Sequence, residues 1–351
     1  MNWKQIIRII SFSLVLILVF VALSDVFETE DTLIAQRYNL FKTFSPGMID
    51  AVYIGTSAVD RYFITAKAYD DYGMAVYDVS SDSMPAYAYL PLVKEVLRYQ
   101  QPKLFIFDIR PFVTSPSATT SMANARKVID TLDFFSPGRF EMISRTAKHL
   151  HQLDPDNYGL IQPDLLFTFL SDHGKWDEDD FSIVNQPVSK YLGYHLSTTI
   201  ATGIQTLKAS VYAEEMNALD EANEEYLLEL ITFAREKNLN ILFVDNPHYV
   251  DEAKSSVTDT IFYLLEDEDI PYLNLNTDEI IAQYFNREKD FYNQGHVNYN
   301  GAVKFTDLFA KWLHENYDFP DHREDSAYAE WNGVYNKIQK QVKKLRDKNK
   351  K

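Results

Sequence analysis

The chain has 351 residues, enough for one large domain or two ordinary ones, and its 46% hydrophobic content can supply a sizeable core. It contains no cysteine, which excludes disulfides, thiolate–zinc sites and thiol catalysis. The net charge of −17 is unevenly spread, because basic residues crowd both ends; the body is therefore more acidic than the whole and would repel phosphate backbones, so no nucleic-acid partner is expected.

Residues 1–24 form the first predicted element. Ile9 to Ser24 (IISFSLVLILVFVALS) carries no charge, and Ile6 and Ile7 extend the apolar run past Arg8. A bilayer span needs about 17–25 such residues, and Arg8 can snorkel to the interface, so residues 6–24 are expected to sit in a lipid bilayer. Lys4 and Arg8 precede the run, and Asp25, Glu28, Glu30 and Asp31 follow it. That bias predicts a single-pass anchor with an extracytoplasmic body. The alternative is a signal peptide cleaved after Ala22-Leu23-Ser24, which would release a secreted body.

Residues 25–47 read as a connecting segment. Ala51 to Ile54 is a short apolar run that stops at Gly55-Thr56-Ser57, Met74 to Val79 is a second strand, and Leu104 to Ile109 (LFIFDI) a third, with a helix at 91–99 between the last two. An insertion at about 112–212, mostly helical, breaks the rhythm and is expected to shape a cleft. Leu227, Leu230, Ile231 and Ala234 then mark an amphipathic helix. Strands follow at 241–244 and 271–275, with helices at 257–265 and around Phe305–Trp312. Strands alternating with helices predict an α/β domain over 48–318: a three-layer α/β/α sandwich around a five-stranded parallel sheet. Residues 319–351 form an extension ending in a basic tail with Val334, Ile338, Val342 and Leu345 on one side. That tail suits an anionic membrane or polymer surface, although a solvated terminal helix is the preferred reading.

Two segments carry chemistry. Ser57 leaves the first strand at the sheet edge where open α/β sheets bind ligands, with a helix N-terminus following to favour developing negative charge. Near the other end, the polar loop Asp290 to Ala302 holds His296 just before a helix. A neutral imidazole there can take the serine proton and return it to a leaving alcohol, if a neighbour fixes its tautomer. Asp108 and Arg110 end strand three, and Asn246 and His248 end strand four; with Asn298 they are candidate substrate-binding residues. His149, His151, Asp172 and His173 have poor spacing for a metal. There is no P-loop, no Gly-x-Gly-x-x-Gly turn and no His-Glu-x-x-His, and no cofactor is expected.

Together, Ile54-Gly55-Thr56-Ser57, Lys103 to Asp108, Gly295-His296-Val297-Asn298 and Gly301 to Thr306 resemble the SGNH/GDSL hydrolase superfamily. The similarity is to its membrane-anchored cell-envelope branch, which includes the teichoic-acid D-alanyl transfer protein and the alginate O-acetylation proteins. It covers roughly 48–111 and 225–315. It implies a flavodoxin-like sheet of order 2-1-3-4-5, Ser57 as nucleophile and first oxyanion donor, Gly73 as a second donor, and His296 as base. The family's aspartate three residues before the histidine is Asn293 here, so Asp290 is the alternative orienting acid. No Gly-x-Asn-Asp block supplies a third donor. The resemblance implies a serine esterase or O-acyltransferase working on an acylated envelope glycan or wall polymer. The rival is a weak or inactive envelope scaffold that binds a polymer or a membrane acyltransferase, and a lipase-like enzyme preferring long acyl chains is a third reading.

Overall fold

The computed structural model describes residues 1–26, 33–116, 120–167, 170, 188–201, 217–248 and 252–349. The sheet runs β1 Ala51–Gly55, β2 Val76–Ser80, β3 Leu104–Asp108, β4 Ile241–Asp245 and β5 Tyr272–Asn274, all parallel, in the order β2-β1-β3-β4-β5. The strands could be read as near-continuous apolar runs because β1 to β4 are buried along their whole length, as a parallel sheet covered on both faces requires. A short antiparallel hairpin, β6 Phe291–Asn293 and β7 His296–Val297, stands apart from this sheet.

The described helices are α1 Trp3–Val26, α2 Leu33–Thr43, α3 Ser57–Asp60, α4 Thr65–Tyr72, α5 Tyr89–Tyr99, α6 Arg110–Val113, α7 Met122–Ile129, α8 Pro137–Leu153, α9 Pro163–Leu166, α10 Glu221–Lys237, α11 Glu252–Asp267, α12 Asp278–Tyr284, α13 Tyr299–Asn316 and α14 Val334–Asn349. Alternation along the strands sends Tyr53 to one face, where its ring meets Phe63 and Phe309 of α13. Phe107 points to the other face, against Tyr89 of α5 and Phe243 of β4. Each face of the sheet is thereby closed by aromatic side chains on helices.

Helix α1 contains a 22-residue apolar stretch, Trp3–Ser24, with none of its most apolar window buried against the body. It is long and apolar enough to cross a membrane or to serve as a signal sequence.

The segment read as a connector includes α2, which buries Ile34, Arg37, Tyr38 and Phe41. Arg37 donates to Gly193 O (2.7 Å) and Ser80 O (2.9 Å), pairs with Asp60, and lies 3.2 Å from Asp78. One guanidinium facing two carboxylates in a dry site leaves both acids strained toward protonation, and burial raises Asp60 to about 6 and Asp78 to about 7. This cluster ties α2 to the end of α3 and the end of β2.

Within the insertion, α7 and α8 pack on each other and α8 packs on α5. The later stretch, 188–201, runs past the sheet edge: His195 N–H donates to Asp60 O (2.8 Å), Tyr299 N–H to Ser197 O (2.7 Å), and Ala201 N–H to Phe291 O (3.1 Å). The acidic run at 176–181 lies outside the described residues, as do Asp172 and His173. Helix α14 buries Val334, Ile338 and Val342 against the body, with α4 as its neighbour, so most of its apolar side is already occupied, and Leu345 is partly buried.

Candidate active site

The site begins with how β1 ends. Gly55 lies so close to its neighbours that a Cβ there would stand 2.5 Å from Asp108 Cβ and 2.6 Å from Val59 Cγ2. No side chain fits, and this contact lets α3 start directly at the sheet edge. Thr56 caps α3: its hydroxyl accepts from Ala58 N–H (3.2 Å) and donates to Asp108 Oδ2 (2.5 Å), which also accepts Thr56 N–H (3.2 Å). Buried Asp108 thus locks the turn, and Ser57 follows as the first helical residue, half-buried. Gly55→Ala should destabilise the fold by about 1–3 kcal/mol through overpacking. Thermal unfolding would register this as a lowered Tm, with loss of any Ser57-dependent activity.

The histidine arrives on the β6–β7 hairpin. Asn293 Oδ1 accepts Gly295 N–H (2.9 Å) and lies 2.9 Å from His296 Nδ1. Because the backbone N–H demands an oxygen at that position, the amide orientation is fixed and Nδ1 must carry the proton. The lone pair of Nε2 then faces Ser57 Oγ at 2.7 Å. This is the hydrogen bond a general base needs to activate a hydroxyl. Tyr292 stacks on the imidazole, with centroids 5.4 Å apart and planes at 23°.

Several residues hold the hairpin in place. Asn298 caps α13 by accepting from Asn300 N–H (2.9 Å) and Gly301 N–H (3.4 Å), while its amide donates to Lys289 O (2.8 Å). A Cβ on Gly301 would sit 2.4 Å from Asp290 O, so only glycine lets the helix start this close to the hairpin. Arg110 donates to Gly295 O (2.8 Å), Tyr62 Oη (3.2 Å) and Asn246 O (3.3 Å), bracing the turn before His296 against the end of β4.

Burial dominates the electrostatics. It lowers the His296 pKa to about 3, with further lowering from the fields of Arg110, Arg61 and His195. His195 is likewise pushed down to about 4 by burial and by Arg61 and Arg37. Among the described residues no carboxylate pairs with His296, so the ring stays neutral and ready to accept a proton throughout the physiological range.

Of the residues anticipated from sequence, Ser57, His296 and Asn293 lie together in one hydrogen-bonded line. The others stand elsewhere. Asp290 is buried, with its carboxylate on Lys304 Nζ (2.6 Å) and Asn286 N–H (2.6 Å), and the ring nitrogen it was to orient is taken by Asn293. Gly73 cannot be an oxyanion donor beside Ser57. It is the left-handed cap of α4 (φ +74°) at the start of β2, the opposite end of a parallel sheet, and its N–H is bound to Tyr69 O (2.8 Å). The candidate substrate ligands are mostly internal fasteners. Asp108 locks the Thr56 turn, Asn298 caps α13, and Arg110 braces the histidine loop. Asn246, fully buried, accepts from Tyr53 Oη (3.0 Å) and donates to Ala58 O (2.8 Å). His248 keeps partial exposure, and its Nδ1 lies 2.7 Å from Asn246 O. Burial and then Arg110 hold it well below the usual histidine range.

Sequence reasoning missed the loop after β2. Ser81 N–H donates to Gly55 O (3.1 Å), which draws Ser81 to Ser83 alongside the Ser57 turn. Ser83 takes a left-handed conformation (φ +55°), and the N–H groups of Ser57, Asp82 and Ser83 have no partner among the described residues. A run of polar residues right after a predicted strand was the available signal. Among the described residues no three His, Asp or Glu side chains group as metal ligands. His149 pairs instead with Tyr226 Oη (2.6 Å) and His151 with Tyr158 O (2.6 Å).

No protein-family model matches the sequence, and neither does any curated protein. Solved structures do resemble it. One is a protein from Lactobacillus plantarum, at 9% identity and TM-score 0.35 over 77% of this chain and 99% of the other. A second is a gut microbial diltiazem-metabolizing enzyme, at 9% identity and TM-score 0.36 over 78% of this chain and 48% of that one. A third is an acetyl xylan esterase from the rumen bacterium Butyrivibrio proteoclasticus, at 10% identity and TM-score 0.32 over 78% and 64%. The chain thus spans about half of the second and under two thirds of the third.

Proposed function

We propose that the chain is a serine esterase or O-acyltransferase of SGNH/GDSL type, held at a membrane by α1 and acting outside it on an acylated envelope glycan or wall polymer. The observation that carries this reading is Ser57 Oγ at 2.7 Å from His296 Nε2, with the opposite ring nitrogen fixed by Asn293. Ser57 attacks the acyl carbonyl, giving its proton to His296. The tetrahedral oxyanion is received by the Ser57 N–H and by the Asp82 and Ser83 N–H groups. Collapse expels the alcohol, which takes the proton from His296 and leaves an acyl-serine. Water resolves it in a hydrolase and a sugar hydroxyl in a transferase. Helix α3 is a single turn, so local N–H groups rather than a long helix dipole stabilise the charge.

The test is turnover of 4-nitrophenyl acetate by the full chain in detergent. The reading expects saturable hydrolysis, with acetyl preferred over long acyl chains. A lipase-like enzyme would reverse that preference. No turnover above buffer by the folded protein would favour the second reading, a polymer-binding scaffold. Asn293 standing where the family has an acid is the specific observation behind that alternative.

A further inference from the structure

We propose that the insertion rests on the bilayer itself: Phe134, Phe135 and Phe140, around the start of α8, sit in the headgroup layer beside the outer end of α1. This rests on the reading of α1 as a membrane anchor and is independent of the chemistry assigned to Ser57.

Depth is set by α1. Residues 7–19 are exposed, whereas Phe20, Val21 and Leu23 are partly covered and Ser24 is buried. The body therefore grips the last turn of the apolar stretch instead of starting beyond it. Phe20 lies one turn before Ser24, about 6 Å inside the outer end of the stretch at 1.5 Å per residue. Its side chain leans toward the helix N-terminus, which is deeper still. The Phe20 ring meets Phe167 edge-on, with centroids 5.2 Å apart, so a residue of the insertion touches the span below its outer end. Phe167 stacks on Phe134 (5.8 Å), and Phe134 meets Phe135 (4.9 Å). The headgroup layer is about 5–7 Å deep on each side of the hydrocarbon. A row of rings with these spacings leads from the hydrocarbon boundary into that layer.

The tip is rigid and uncovered. Ser136 caps α8 by accepting from Arg139 N–H (3.0 Å), which puts Phe135 and Phe140 at the two positions that flank a helix start and usually pack on each other. They nevertheless stay 65% and 45% exposed. Arg139 is buried, with its guanidinium 5.2 Å from the Phe134 centroid, and it donates to Ile129 O (2.6 Å), Leu132 O (3.2 Å) and Leu166 O (3.4 Å). These bonds clamp the tip to the end of α9, so the rings cannot fold away. The neighbouring carboxylates are held by cations: Asp130 by Arg126 and Arg139, Asp133 by Lys42, and Glu141 by Lys94 and Arg145. In a molecule of net charge −17, the tip is thus apolar where an acidic one would be repelled by anionic lipid. Exposed aromatics next to an apolar span suit the lipid interface, and the bilayer around α1 is the surface that covers them.

The chain has no cysteine, so one nitroxide can be placed at a time, in Phe135→Cys, Phe140→Cys, Leu18→Cys on α1 and Lys311→Cys on α13, across the sheet from α5. All four positions are exposed, so labelling should leave the fold intact. Each full chain is placed in phosphatidylcholine nanodiscs at one copy per disc, and collision of the label with oxygen, which concentrates in lipid, is compared with collision with a water-soluble nickel chelate. The oxygen-to-nickel ratio at Phe135 and Phe140 should exceed that at Lys311 severalfold and fall below that at Leu18. Ratios equal to that of Lys311, with Leu18 still in lipid, would overturn the bilayer contact and leave the anchor standing. A Leu18 label in water would instead remove the anchor, and the contact with it. Shielding from both reagents, or shielding that appears only with several copies per disc, would mean that protein covers the tip, and would also overturn the proposal.

Discussion

Ser57→Ala should lower 4-nitrophenyl acetate hydrolysis by ~10^3-fold or more while leaving the fold intact. The size follows from the geometry. Without the hydroxyl, His296 Nε2 has no nucleophile to deprotonate, and residual turnover falls to what oriented N–H groups and binding supply. The loss should appear in kcat more than in KM, because the hydroxyl acts in the transition state and contributes little to ground-state binding. The side chain is small, half-buried and outside the hydrophobic core, so circular dichroism and Tm should barely change. A variant that keeps its activity removes Ser57 from the mechanism, and one that unfolds is no test.

The second large effect is a gain. Asn293→Asp should raise kcat/KM by at least ~10-fold at neutral pH, since a carboxylate on Nδ1 stabilises the imidazolium that forms during attack, whereas an amide only orients the ring. Replacing such an acid by its amide in a serine triad costs about 10^4-fold. The pH profile gives an independent signature. In the natural chain His296 is lowered to about 3, so its base form persists and kcat/KM should stay flat from neutrality down to about pH 4. Protonation disables a base, so activity falls only as pH drops through the folded pKa. A carboxylate beside the ring raises that pKa, and the acid limb in Asn293→Asp should move upward by two units or more. A wild-type limb already near pH 6–7 would contradict the burial and nearby cations assigned to His296. An Asn293→Asp protein as inert as the natural one would favour the scaffold.

Strands β1 to β4 were legible because buried parallel strands are written as near-continuous apolar runs, such as Leu104 to Phe107 and Ile241 to Val244, whereas the partly exposed edge strand β5 is marked only by Pro271 and a short run after it. Ser57 was legible because Gly55 and Thr56 mark an abrupt strand end. The β6–β7 hairpin was not, since its strands are only three and two residues long, with its shape fixed by Asn293 and Asn298 rather than by periodicity. Gly73 was misplaced even though a residue just before a strand of a parallel sheet lies at the amino edge, opposite the turn that carries Ser57. Asp108, Arg110 and Asn246 have the residue types of substrate ligands, and only their partners reveal them as fasteners. Arg37 gave no local signal, because its partners Ser80 and Gly193 are 43 and 156 positions away.

The most direct test is to treat the full chain with a fluorophosphonate and map the adduct by mass spectrometry. A single phosphonylated peptide containing Ser57, greatly slowed in His296→Ala, is the predicted result. An adduct on another residue, or equal labelling when Ser57 or His296 is replaced, would contradict the account.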